Sequence, residues 1–281
     1  MNSIINPAFI NWWQHIPEHI NPVFLSIGPL QIHYYGLMYL LSIAVVYFLT
    51  LQRIKRENIV FSKEALENFF LWVILGVVIG ARLGYVLFYN LGYFLERPWE
   101  IVLPFEVGNG FKYIGISGMS YHGGLLGAVI ASLVFCLKNK QNFWKLADLL
   151  SPAVPLGYTF GRIGNFINGE LYGRVTEVWW GMYFPQDALS QLRHPSQLYE
   201  AFFEGIVLFI ILWRLRKIKY FDGFLFSLYI VGYGVARFFI EFFRQPDPQL
   251  GFILGPLTLG QIFCCLMVMA GIALIVIKRR H

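Results

Sequence analysis

Four polar side chains recur at helical spacing inside an apolar stretch near the end of the chain: Tyr233, Arg237, Glu241 and Arg244. Intervals of 4, 4 and 3 residues place all of them on one helix face. An arginine inside a lipid-spanning helix costs free energy and marks function by default. Its planar guanidinium grips a phosphate through two N–H groups and keeps its charge. Two readings of this face compete. Arg237 and Glu241 could form an internal pair that only holds helices together, or the face is the polar wall of an intramembrane site. Four polar groups aimed at one place favour the wall.

A second stretch has the same character. Arg162 stands among Gly157, Gly161 and Gly164, and is followed by Asn165, Asn168 and Glu170. Pro152 and Pro155 interrupt the helix that leads to it. Broken helices are tolerated in membranes where the backbone faces protein or a wet cavity. Glycines also let helices pack closely, which accounts for them without any ligand. Arg82 is a further charge inside a predicted span. His122, in Ser120-Tyr121-His122-Gly123-Gly124, is the one histidine at a predicted embedded helix start, and a neutral imidazole there could accept a proton. Tyr35 opens the first span, either as an interfacial aromatic or as a hydrogen-bond donor into the same site.

The elements that must carry these groups are membrane helices. Of the 281 residues, 57% are hydrophobic and only 14% charged, with mean hydropathy +0.57. A soluble domain carries about 25% charged residues. An ordinary soluble fold is therefore excluded, and so is disorder. Apolar runs predict seven helices, at 34–51, 66–89, 119–137, 146–163, 197–215, 224–243 and 256–277. Fourteen of the 22 Lys and Arg residues sit on alternate connections: Arg53 to Lys63, Lys138 to Lys145, Arg214 to Lys219, and the tail Lys278 to Arg280. Basic loops stay in the cytoplasm. The pattern predicts an all-α polytopic membrane protein of seven transmembrane helices, N-terminus outside and C-terminus cytoplasmic. The cytoplasmic set has a net charge of +9 and the remainder −3. The basic character is thus a topology signal, not a nucleic-acid footprint. The helix faces bearing Tyr35, His122, Arg162 and Arg237 then share the outer side and can converge at one depth.

One integral membrane domain is expected over 1–281, with 1–33 as an outer, interfacial segment and 34–281 as the core. Met1 to Gln52 contains no Lys or Arg, so the beginning does not read as a signal peptide. Trp12 and Trp13 suit an amphipathic stretch at the lipid interface. Cys136, Cys264 and Cys265 lie in apolar runs without metal-ligand or disulfide spacing, and no metal site is expected.

The run Gly161-Arg162-Ile163-Gly164-Asn165-Phe166-Ile167-Asn168-Gly169-Glu170-Leu171-Tyr172-Gly173 resembles the signature of bacterial prolipoprotein diacylglyceryl transferases. So do Tyr35-Gly36-Leu37-Met38, Gly80-Ala81-Arg82-Leu83-Gly84-Tyr85 and Tyr121-His122-Gly123-Gly124. Arg193-His194-Pro195-Ser196-Gln197-Leu198-Tyr199-Glu200 and Arg237-Phe238-Phe239-Ile240-Glu241-Phe242-Phe243-Arg244 continue the likeness, which runs from about Tyr34 to the C-terminus. The resemblance implies a seven-span inner-membrane enzyme whose site faces the periplasm. It implies transfer of the diacylglyceryl unit of phosphatidylglycerol to the lipobox cysteine of a preprolipoprotein, with release of glycerol phosphate and without a metal or organic cofactor. By motif, Arg162 contacts the lipid headgroup with Asn165 as its partner, and Arg237 joins the phosphate clamp. Glu170 and Gly173 shape the loop, Glu241 holds Arg237, and Tyr35, Tyr233 and Arg244 line the pocket. His122 is the candidate base for the thiol, with Glu170 or an arginine-lowered thiol pKa as alternatives.

Two other classes meet parts of the pattern. Gly115-Ile116-Ser117-Gly118 fits the short GxSG pattern of intramembrane serine proteases, but no late-helix histidine follows to activate Ser117. The broken fourth helix fits a transporter, but no matching interrupted helix appears in the other half.

Overall fold

The computed structural model describes residues 6–28, 30–102, 105–107, 111–113, 118–246 and 251–279. In chain order the elements are helix α1 (Pro7–Gln14), hairpin strands β1 (Val23–Ile27) and β2 (Leu30–His33), and helices α2 (Tyr34–Arg56), α3 (Lys63–Tyr89) and α4 (Leu91–Glu96). A short hairpin of β3 (Phe105–Val107) and β4 (Phe111–Tyr113) precedes α5 (Tyr121–Lys138), α6 (Phe143–Leu150) and α7 (Val154–Ile167). Then come α8 (Ser196–Glu200), a π-helical segment Ala201–Val207, α9 (Leu208–Leu215), α10 (Phe224–Ile240), strands β5 (Phe252–Leu254) and β6 (Leu257–Thr258), and α11 (Leu259–Lys278). By length and composition α2, α3, α5 and α11 can each cross a membrane, and α10 is a shorter apolar helix. Backbone contacts group the chain into two units, 58–146 and the remainder.

The smaller unit is built on a glycine seam. Gly76, Gly80 and Gly84 of α3 meet Gly123 and Gly127 of α5 so closely that a Cβ on Gly84 lies 2.7 Å from Gly123 Cα. Lipid tails offer helices no hydrophobic drive to associate, so close backbone packing must supply it. Ser120 starts α5 by accepting from Gly123 N at 3.2 Å. Arg82 donates to the carbonyls of Glu100 at 2.6 Å, Ile101 at 2.8 Å and Gly118 at 3.3 Å. Those bonds tie α3 to the following loop and satisfy backbone acceptors. The Gly115-Ile116-Ser117 run lies outside the described residues.

In the larger unit α2 packs on α7, where Ser42 Oγ donates to Gly157 O at 2.7 Å and a Cβ on Gly157 meets Val46 Cγ2 at 2.5 Å. Arg53 is buried at the end of α2, beside Glu57 and donating to the carbonyls of Asp148, Leu149 and Arg216. One of the bases on the alternate connections is therefore also a cross-link. Asp148 receives the N–H groups of Gly223 and Phe226 at 2.8 and 2.9 Å, closing the start of α10. Thr258 and Gln261 form a reciprocal capping box on α11. The N-terminal α1 rests on the loop 168–195 through Trp13 Nε1 to Trp180 O at 3.0 Å and Gln14 Nε2 to Trp179 O at 3.2 Å, with Trp12 exposed.

Three expected helices differ in extent. The first runs on to Arg56 rather than ending at Leu51. The fourth, 146–163, is two helices, α6 and α7, parted at 151–153 around Pro152, with Pro155 in the first turn of α7 where its missing N–H does no harm. The sixth ends at Ile240 rather than Phe243, so Glu241 caps it and Arg244 lies beyond it.

Candidate active site

Nine of the ten expected site residues fall in the larger unit: Tyr35, Arg162, Asn165, Glu170, Gly173, Tyr233, Arg237, Glu241 and Arg244. Three of them, Arg162, Arg237 and Arg244, pair with acids outside the expected set, Glu200 at the end of α8 and Glu204 in the π-helical segment. Both are fully buried.

Glu200 is the hub. Arg162 Nε lies 2.7 Å from its Oε2, Arg237 Nη1 3.1 Å from Oε2, and Arg244 Nη1 3.8 Å from Oε1. Buried charges persist only when paired, and here three cations from α7, α10 and the segment after α10 share one carboxylate. Arg237 also faces Glu204 Oε1 at 3.7 Å and Glu241 Oε2 at 3.2 Å. The ion pairs thus join three arginines to three glutamates. Tyr158 OH donates to Glu204 Oε2 at 2.5 Å and reaches Glu200 Oε2 at 3.2 Å. Its ring carries the Arg162 guanidinium at 4.7 Å and meets Tyr233 edge-on at 5.8 Å. Glu241 accepts from Thr258 Oγ1 at 3.1 Å. Some of these contacts are ionic rather than aligned hydrogen bonds: Arg237 Nη1, Glu200 Oε1, Glu204 Oε1 and Glu241 Oε2 are buried without a hydrogen-bond partner.

A second chain of contacts leaves Arg162. Its Nη1 donates to Asn165 Oδ1 at 3.2 Å, and Asn165 Nδ2 donates to Glu170 Oε1 at 2.8 Å. Tyr35 reaches the Asn165 side chain and pairs with Tyr39 OH at 3.1 Å. Gln197 Nε2 donates to Glu170 O at 2.6 Å and Ser196 Oγ to Leu171 O at 3.0 Å, so α8 holds the loop that follows α7.

That loop is braced from its far side. Arg193 forms a two-point pair with Asp187, at 2.8 and 2.9 Å, and both are buried. The pair, with added N–H bonds from Gln191 and Leu189, holds the Asp187 carboxyl below its ordinary pKa. Burial lowers the pKa of His194, whose Nδ1 meets Tyr199 OH at 3.1 Å. Gly173 bridges to Arg244, and its N–H donates to His194 O at 2.8 Å. A Cβ at Gly173 has no room: His194 O and Cβ would stand 2.8 Å away and Phe243 O closer still.

The tenth residue, His122, belongs to the smaller unit. It is exposed in the first turn of α5, with its ring edge-on to Tyr121 at 5.7 Å. Glu200 and Glu204 had a readable signal. Gln197, Glu200 and Glu204 stand 3 and 4 residues apart on a predicted span, one polar face in an apolar run. Tyr158, four residues before Arg162, had a weaker one.

The geometry is a cluster of three arginines and three glutamates, self-neutralised and set among apolar helices, beside the loop 168–195. Residues 22–277 match the family model for prolipoprotein diacylglyceryl transferase. A phosphatidylglycerol–prolipoprotein diacylglyceryl transferase of Chlorobaculum tepidum is 53% identical over 274 residues, covering 97% of this chain and 95% of that one. Proteins of the same name from Campylobacter hominis and Wolinella succinogenes are each 47% identical, covering 93% and 91% of this chain and 92% of each relative. The chain belongs to the prolipoprotein diacylglyceryl transferase family.

Proposed function

We propose that the protein transfers the diacylglyceryl group of phosphatidylglycerol to the lipobox cysteine of a prolipoprotein. The thiol gives up its proton, because thiolate is the nucleophile. Sulfur bonds to the glyceryl carbon, the carbon–oxygen bond to phosphate breaks, and the electron pair leaves on glycerol phosphate. Charge gathers on the phosphate as that bond breaks, and fixed cations in a dry site stabilise it strongly.

One observation carries this reading: the buried arginine cluster presents unspent donors. Arg162 has five N–H groups. Nε faces Glu200 and one Nη1 hydrogen goes to Asn165. The other three have no protein acceptor among the described residues and can meet phosphate oxygens. Arg237 and Arg244 add charge, Glu241 orients Arg237, and Asn165, Glu170 and Tyr35 orient Arg162. Gly173 and Tyr233 shape the space. His122 is the candidate base for the thiol, with Glu170 or an arginine-lowered thiol pKa as alternatives.

The membrane reading is a single integral domain of seven passes: α2, α3, α5, α6 with α7, α8 through α9, α10 and α11. The basic ends lie in the cytoplasm and the loop 168–195 faces the periplasm of the inner membrane. Purified protein supplied with phosphatidylglycerol and a lipobox peptide tests the activity. Mass spectrometry should show the peptide heavier by one diacylglyceryl unit. Transfer from a zwitterionic lipid but not from phosphatidylglycerol would refute the donor.

A further inference from the structure

The cluster is charge-balanced before any substrate arrives. Three arginines meet three glutamates through ion pairs, and none of the six side chains is more than 16% exposed. A phosphodiester adds one negative charge to this dry balance. An uncompensated buried charge costs several kcal/mol, so a neutralising proton should accompany the lipid.

The distances say which carboxylate takes it. Glu200 has three cations within 3.8 Å. Glu241 has Arg237 at 3.2 Å and a hydrogen bond from Thr258. Glu204 has one cation within ion-pair distance, Arg237 at 3.7 Å, shared with both other acids, and its Oε1 is buried without a hydrogen-bond partner. The groups facing Glu204 are Tyr158 and Arg162 from α7, Glu200 from α8, Arg237 from α10 and Cys264 from α11. Among them the acid Glu200 repels its charge. Phosphate drawing on Arg237 weakens the main compensation Glu204 has, and Arg162 turns to the same phosphate.

We infer that Glu204 takes up a proton when the anionic lipid binds, keeping the cluster neutral while the arginines turn to the phosphate. Glu204 is then a positioning residue: it frees Arg237 without touching the reacting atoms. The inference rests on the proposed phosphatidylglycerol donor.

Proton uptake on binding is measurable without turnover. The detergent-solubilised full-length protein is titrated with dioctanoyl phosphatidylglycerol, no peptide present, at about pH 8, above the ordinary carboxylate range. Calorimetry in two buffers of different ionisation heat reports the protons taken up. The wild type should take up about one proton per lipid, and its affinity should fall by up to about tenfold per pH unit on the alkaline side. Glu204→Gln should take up close to none and bind with a flat pH dependence. Glu204→Asp should restore uptake, and dioctanoyl phosphatidylcholine should cause none in any variant. Wild-type binding without uptake overturns the inference, as does undiminished uptake in folded Glu204→Gln. Transfer to a lipobox peptide is measured on the same preparations. An active protein with no linked proton refutes Glu204 alone, whereas one that neither binds phosphatidylglycerol nor transfers overturns the donor reading as well.

Discussion

Replacing Arg162 separates charge from geometry. Its guanidinium is anchored twice, by Glu200 at 2.7 Å and Asn165 at 3.2 Å, and sits over the Tyr158 ring at 4.7 Å. Arg162→Ala removes the donors that meet phosphate and leaves Glu200 with Arg237 and Arg244. Breaking a buried ionic contact on one side costs about 3–5 kcal/mol. At about 1.4 kcal/mol per tenfold, kcat/KM should fall by roughly 10²- to 10⁴-fold. Arg162→Lys keeps the charge but cannot span Glu200, Asn165 and a phosphate at once. It loses one charge-assisted bond, about 1.5–3 kcal/mol, so a loss of roughly 10- to 100-fold is expected, mostly in kcat. The assay is transfer from phosphatidylglycerol to a lipobox peptide in proteoliposomes, with insertion checked by detergent extraction. A lysine variant at the wild-type rate would show that only charge matters. An alanine variant at that rate would remove Arg162 from the clamp.

Gly173→Ala should lower activity by about 10²-fold, because relieving the contacts with His194 and Phe243 displaces Arg244, and a shift near 1 Å at a reacting site has that effect; an unchanged rate means the bridge to Arg244 does not position it. His122→Gln should reduce kcat by roughly 10²- to 10⁴-fold and remove one limb of the pH profile; near-full activity with an unaltered profile would pass the role to Glu170 or to the arginines. His194 has a lowered pKa in the folded protein, so its unfolded form binds the proton more readily. Its contribution is therefore complete above about pH 6.5 and is lost as pH falls towards the folded value. Protease resistance of the loop 168–195 should decline over that window in the wild type and not in His194→Phe. Cysteines placed at exposed Leu189 and Tyr220 test orientation: an impermeant maleimide applied to intact spheroplasts should label Leu189→Cys and spare Tyr220→Cys. The reverse labelling would invert the proposed topology.

What could be read in advance followed from how strongly each feature is written in residue type. Apolar length located α2, α3, α5 and α11 within a few residues, and the arginines at 162, 237 and 244 identified the cluster because charge in an apolar run is rare. Proline misled the fourth helix only in continuity: Pro152 does not bend one helix but separates two. The role of Arg82 was unreadable, since a guanidinium serves backbone carbonyls as well as phosphates and only the fold decides. Glu200 and Glu204 were passed over for a different reason. Arginines at 162 and 237 fit an anion from outside as well as acids of the chain itself at the same depth. A buried cation in lipid needs an internal partner before it needs a ligand, and counting acids on the facing helices would have found both.

The backbone of the fifth helix explains how two acids can sit there. Between α8 and α9 the helix widens into the π-helical segment Ala201–Val207, a form that recurs at functional sites. A widened turn weakens the regular ladder and leaves carbonyls to be satisfied. Thr159 of α7 supplies a donor, reaching Ala201 O at 3.3 Å. Gly205 makes the approach possible, since a Cβ there would collide with Thr159 Oγ1. The same contact sets Tyr158, the neighbour of Thr159, against Glu204. Backbone distortion and acid placement are thus one feature: α7 lies close enough to satisfy a loosened turn, and that closeness lets Tyr158 and Arg162 reach the acids before and within it. A straight α-helix with the same sequence would alter the register of Glu204 relative to Glu200, and with it the sharing of Arg237 between them.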